Sequence, residues 1–78
     1  MKVVGQVFKR EKYQGRKGEG EKVVLLDLTP EGRATEQFIE IPGDATSAKV
    51  GEFVEFDGRT TGRLFMFPDS GGVKVVKR

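Results

Sequence analysis

The hydrophobic residues of this chain occur in short runs, separated by turns that contain glycine, proline and aspartate. The runs are rich in valine, isoleucine and phenylalanine, which favour β-strands, and no useful length of chain has the periodicity of an amphipathic helix. The pattern predicts short strands at residues 2–13, 22–28, 36–41, 49–57, 63–67 and 73–77.

Two of these strands have informative side-chain patterns. The segment at 36–41 alternates, so that Ile39 and Ile41 point to one face while Phe38 and Glu40 point to the other. The segment at 22–28 is apolar on both faces for several residues, which is typical of a central strand.

Glycine and proline mark the ends and bends of the predicted strands. Gly5 interrupts the first strand, where we expect a bulge or a sharp bend. Turns are predicted at Thr29–Gly32, at Asp57-Gly58 and at 68–72. The polar connector at 44–50 is long enough for one helical turn, capped by Asp44 or Thr46, and too short for a full helix.

Short strands with glycine-rich turns in 78 residues predict one all-β domain, residues 1–78, folded as a small closed or half-closed barrel. The alternatives at this length are an OB-fold, an SH3-like barrel and a dimer of curved sheets. The order of features favours a small five-stranded OB-fold-like barrel.

The composition argues against an enzyme. The chain has no cysteine and no histidine, so the common zinc sites and the common nucleophile and base pairs are excluded. The carboxylates, lysines and single tyrosine form no cluster with recognisable spacing. We therefore expect no catalytic residue, no metal and no cofactor.

The N-terminal apolar run is too short for a signal peptide, and no run approaches the roughly 18 residues that a spanning helix needs. The sequence predicts a soluble, cytoplasmic protein that does not enter a membrane.

The net charge of +2 conceals an uneven distribution. Residues 1–22 contain seven basic and three acidic side chains, residues 23–57 contain two and eight, and residues 58–78 contain five and one. If the two basic ends are neighbours in the fold, one face is positive and suits a polyanion.

The strongest concentration of positive charge is REKYQGRKGEGEKVVLLD, residues 10–27, in which cations alternate with Gly15, Gly18 and Gly20. A segment with nothing to bury is expected to project as a flexible arm. We interpret the segment as a phosphate-contacting loop, because Tyr13 stands among the charges as a candidate stacking platform, and the alternative is a solvated hairpin tip that serves solubility. The segment lacks the lysine and hydroxyl ending of a nucleotide-binding loop.

The order of GQV in the first strand, a charged loop, Asp27-Leu28-Thr29 and VGEFVEFDGR resembles the strand punctuation of OB-fold proteins. The layout also resembles that of the helix-destabilising, single-stranded-DNA-binding proteins of filamentous phages. Members of that family commonly place an aromatic residue just after the loop glycines. This chain has Glu21-Lys22 there, with Tyr13 before the glycines.

The resemblance implies non-catalytic binding of single-stranded DNA, or of RNA, by phosphate contacts and aromatic stacking, with the loops after the first and fourth strands converging on one face. Homodimerisation is expected because the core is small and two sites on one strand raise avidity. Phe56 is expected in the core. The candidate nucleic-acid-binding residues are Arg10, Lys12, Tyr13, Arg16, Lys17, Lys22, Phe38, Arg59, Arg63, Phe65 and Lys74.

An interaction module is the alternative, in which an SH3-like or OB-like barrel docks a basic partner through its acidic middle. The acids concerned are Glu31, Glu36, Glu40, Asp44, Glu52, Glu55 and Asp57.

Overall fold

A computed structural model describes residues 2–16, 18–60 and 65–77, and it confirms the all-β prediction. The described chain forms six β-strands and one 3₁₀ turn, at Gly43–Ala45. The strands are β1 (Lys2–Gly15), β2 (Gly18–Leu28), β3 (Ala34–Pro42), β4 (Phe53–Thr60), β5 (Met66–Pro68) and β6 (Lys74–Val76).

The strands are ordered β3-β2-β1-β4-β5 and each neighbouring pair is antiparallel. β4 has two partners along its outer edge. Its first residues, Phe53 to Glu55, pair with β6, and its last residues, Gly58 to Thr60, pair with β5.

The predicted five-stranded, closed or half-closed barrel is corrected, because the sheet has six strands and is not closed into a barrel. Among the described residues, β3 meets the other end of the sheet at one isolated parallel bridge, between Glu40 and Phe65. β5 has three residues, and all three are paired with β4. Within the described residues, the two ends of the curved sheet therefore approach each other without a continuous β-ladder between β3 and β5.

The inner face of the sheet forms the hydrophobic core. Alternate residues of the strands point inward, as the period of two requires. Phe56 is buried as predicted, and its neighbours in the core are Val3, Val7, Val23, Leu25, Ile39, Ile41, Ala48, Val54 and Met66. Burial of each such aliphatic or aromatic side chain contributes about 1.5–3 kcal/mol.

Other details of the first half agree with the sequence. Ile39 and Ile41 are buried while Phe38 and Glu40 face outward. The turn at Thr29–Gly32 is closed by the Gly32 amide, which donates to the Thr29 carbonyl at 2.8 Å, and Gly32 has the positive φ of 90° that favours glycine. The single helical turn in the connector is present, without a side-chain cap.

The turn predicted at Asp57-Gly58 is wrong, and the bulge that was one of the two alternatives at Gly5 lies elsewhere. Gly5 is paired on both sides within β1, and the bulge lies instead between Val7 and Lys9. Gly58 lies inside β4 opposite Pro68, where a Cβ would come within 2.9 Å of the Phe67 carbonyl oxygen. Both glycines permit close approach of another chain segment, which is a second reason for glycine in a strand.

Candidate nucleic-acid interface

Two aromatic side chains are paired on the outer face of the sheet. Phe8 occupies the bulge of β1 and is 52% exposed, while Phe38 on β3 is 41% exposed. Their ring centroids are 5.0 Å apart. Phe38 was predicted as a site residue, but Phe8 was not, because the sequence signal for a bulge pointed to Gly5.

The basic segment predicted as a flexible loop is an ordered hairpin, which we call the arm (residues 10–22). Its two strands pair from Arg10 opposite Val23 to Gly15 opposite Gly18. A β-ladder satisfies backbone hydrogen-bonding groups whatever the side chains are, so the arm does not need apolar residues of its own. Lys17, which was also predicted as a site residue, is outside the described residues.

Tyr13 is the aromatic residue of the arm. It is 45% exposed and lies opposite Gly20, where a Cβ would come within 2.6 Å of the Tyr13 ring. The ring therefore covers the space that glycine leaves empty, an arrangement that holds an exposed aromatic side chain in place.

Arg10, at the base of the arm, is fully engaged. Its Nε donates to the Ala48 carbonyl at 3.2 Å, and Nη1 donates to the Gly43 carbonyl at 3.1 Å and to Glu21 Oε1 at 2.8 Å. Its Nη2 donates to the carbonyls of Ala48 and Thr46. All five N–H groups of the guanidinium are thus used, so a phosphate contact would require breaking one of these bonds.

The remaining predicted cations of the arm differ in availability. Lys12 and Arg16 are exposed, and their side chains make no hydrogen bond or ion pair with the described part of the chain. Lys22 is half-buried and forms ion pairs with Glu40 at 2.8 Å and with Glu11 at 3.8 Å. The hydrogen bond from Lys22 to Glu40 raises the pKa of Lys22.

The bridge between Glu40 and Phe65 brings the end of the sheet that carries β5 to the edge of β3. Phe65 is half-buried, with its ring centroid 5.2 Å from that of exposed Phe67. Arg59 is exposed and lies opposite Phe67. Phe67 was not predicted as a site residue, whereas predicted Arg63 lies outside the described residues.

Lys74 lies apart from the other predicted cations. It is in register with Glu55 and lines a cleft that Lys2, Asp57 and Asp69 also line. None of the other predicted site residues that the structure describes lines that cleft.

The acidic residues of the alternative function are not a uniform docking face. Glu40 is paired with Lys22 and Glu55 with Lys2, and Glu52 accepts a hydrogen bond from the Lys49 amide. Within the described ranges, no group of three histidine, cysteine, aspartate or glutamate side chains is placed to hold a metal ion.

Comparisons with protein-family models, with curated proteins and with solved structures find no match to this chain. In the part of the chain that the structure describes, no helix is long and apolar enough to cross a membrane.

Proposed function

We propose that this protein binds single-stranded DNA without catalysis, with bases stacked on the aromatic side chains of the outer face and phosphates held by the cations of the arm. The exposed Phe8–Phe38 pair is the observation that carries the proposal. Two large rings that are left in water on a sheet face mark a surface with a binding role, and bases of any sequence offer flat faces to such rings.

The positions of the other groups suit an extended strand. Tyr13 adds a third exposed ring along the arm, and Lys12 and Arg16 supply positive charge with no competing partner among the described residues. Base stacking and a cationic path together are the usual means of binding single strands without strong sequence preference.

The strand order supports an OB-fold-like interpretation of the open sheet. β1 lies between β2 and β4, and Glu40 of β3 forms a parallel β-bridge with Phe65, the residue before β5. OB-folds are partly open five-stranded barrels that bind oligonucleotides on the face of their second and third strands and with the loops that flank it. In this chain Phe38 lies on β3 and the arm joins β1 to β2, which supports the proposal, and Phe8 extends the same aromatic surface onto β1. Homodimerisation, which would give one strand two binding sites, belongs to the same proposal.

Fluorescence anisotropy of a labelled oligo-dT, titrated at low and at moderate salt with a duplex of equal length as the comparison, tests the proposal. We expect binding that prefers the single strand and weakens with salt as counterions are released. Replacing Phe8 or Phe38 by alanine should weaken binding by about 5- to 150-fold, the range for loss of one stacked base.

Val75→Ala provides the matched control, since Val75 is an exposed apolar residue on β6. It should leave affinity unchanged. Lys12→Ala and Arg16→Ala should each reduce the slope of log affinity against log salt concentration by about the amount that one phosphate contact contributes. Equal losses in the Val75 and Phe38 variants, or no binding at low salt, would contradict the proposal.

A further inference from the structure

A row of four alternating charges crosses the outer face between the Phe8–Phe38 pair and Tyr13. We call Lys9, Glu11, Lys22 and Glu40 the charge row. Lys9 forms an ion pair with Glu11, Lys22 Nζ lies 3.8 Å from Glu11 Oε2, and Lys22 Nζ lies 2.8 Å from Glu40 Oε2. The row therefore joins β1, β2 and β3.

The register places the row among the aromatic rings. Lys9, Glu11 and Tyr13 alternate along β1 opposite Val24, Lys22 and Gly20, and Glu40 lies opposite Val24 on the other side. The hollow beside Phe8 and Phe38 is also lined by Lys9, Glu11 and Glu40. A ligand that extends from these rings to Tyr13 therefore passes beside the two carboxylates.

Both carboxylates are accessible. The side chains of Glu11 and Glu40 are 35% and 36% exposed. The hydrogen bond from Lys9, together with the positive charges of Lys9 and Lys22, lowers the pKa of Glu11, so this carboxylate remains ionised at neutral pH. The two glutamates occupy the ammonium donors that a phosphate would use, and they repel a phosphate that approaches.

We propose that Glu11 and Glu40 determine specificity, by excluding polyanions that approach with their phosphates or sulfates while admitting single strands that approach with their bases. The inference rests on the proposed function and identifies how the same face selects its ligand. A duplex carries its phosphates outside and its bases inside, so it brings negative charge to the row. A single strand can turn its bases to Phe8 and Phe38 and its phosphates toward Lys12 and Arg16.

Selection of this kind places a repulsive element against the wrong ligand next to an attractive one for the right ligand. Glutamine has the shape of glutamate and retains an oxygen that accepts a hydrogen bond from lysine, but it lacks the charge. Glu11→Gln/Glu40→Gln therefore tests the charge with little change in shape.

The experiment measures the affinities of the wild type and of this double variant for oligo-dT, for duplex DNA of equal length and for a heparin fragment, at two salt concentrations. We expect duplex and heparin affinity to rise about tenfold or more, the scale of a relieved like-charge contact. Affinity for oligo-dT should change less than about threefold, so the preference for the single strand falls.

Glu31→Gln/Asp69→Asn is the matched control, because it removes two exposed acids outside the charge row. It should leave the ratio of single-strand to duplex affinity unchanged. Urea unfolding of each variant verifies that the fold is retained.

The inference would be overturned if Glu11→Gln/Glu40→Gln left the ratio of single-strand to duplex affinity unchanged, or if the control changed that ratio equally. Single-strand binding by the wild type would still uphold the proposed function in that case. A loss of oligo-dT affinity with no gain for duplex would also overturn it, since the carboxylates would then be base contacts. Absence of oligo-dT binding by the wild type would overturn the proposed function, and the inference with it.

Discussion

The base and the tip of the arm carry the same kinds of residue and use them differently. At the base, Arg10 gives all five N–H groups to three backbone carbonyls and Glu21. Toward the tip, Lys12 and Arg16 are exposed without a side-chain partner among the described residues. Arg10 and Lys12 are thus only two residues apart, but Arg10 links the arm to the connector whereas the charge of Lys12 is available to a ligand.

The connector after β3 explains the difference. Residues Gly43 to Ala48 lie against the base of the arm and turn their carbonyl groups toward Arg10. A chain segment without regular pairing has carbonyl groups to satisfy, and an arginine fork reaches several of them at once. No such segment lies against Lys12 or Arg16 in the described structure.

Arg10→Met should therefore reduce stability far more than Arg16→Met. Loss of charge-assisted hydrogen bonds, several of them half-buried, should cost about 2–4 kcal/mol, whereas the tip variant should remain within about 0.5 kcal/mol of the wild type. Urea unfolding followed by circular dichroism measures both.

Arg10→Lys separates geometry from charge in the same assay. Lysine keeps the charge but has no planar fork, so we expect it to recover less than half of the loss. Recovery of full stability by lysine, or equal losses at positions 10 and 16, would remove the distinction between base and tip.

Gly43→Ala should produce the next largest effect, because the connector approaches the arm closely at this glycine. A Cβ on residue 43 would lie 2.7 Å from Glu21 Cβ and 2.8 Å from the Glu21 carbonyl oxygen. Relief of that overlap requires a backbone shift, for which we expect a loss of about 1–3 kcal/mol.

Gly71→Ala is the control, since a Cβ there meets nothing within 4 Å. Its stability should be unchanged or raised by up to about 1 kcal/mol, as the unfolded chain loses freedom. Equal thermal midpoints for Gly43→Ala and Gly71→Ala would show that the connector is not closely packed against the arm at Gly43.

The fold could be predicted from the sequence where side-chain pattern alone decides the outcome. The alternation of side chains correctly predicted Ile39 and Ile41 inside and Phe38 outside. The need for large side chains in a small core correctly predicted that Phe56 is buried. These predictions depend on the period of a strand and on core volume, both of which are local properties.

The site was less predictable because its features depend on partners distant in sequence. Arg10 is occupied by carbonyl groups that lie 33 to 38 residues away, and these leave no mark in its own neighbourhood. The outward position of Phe8 follows from a β-bulge between Val7 and Lys9, where the sequence has no glycine to indicate it. Closure of the sheet depends on pairing between β3 and the chain around β5, which are distant in sequence, and no local pattern determines that pairing.

Glu11 lies between the base and the tip, and its titration should give the smallest effect. Its pKa is lowered by the hydrogen bond from Lys9 and by the charges of Lys9 and Lys22. A carboxyl group whose pKa is lower in the folded chain than in the unfolded chain stabilises the fold above its ordinary pKa, and the stabilisation is lost as pH falls through the lowered value. The difference in stability between wild type and Glu11→Gln should therefore be small, constant near neutral pH and absent in strong acid. Urea midpoints of both proteins between about pH 7 and pH 2 measure it. A difference that grows as the pH falls has the wrong sign for this linkage and would show that Lys9 and Lys22 do not stabilise the ionised form of Glu11.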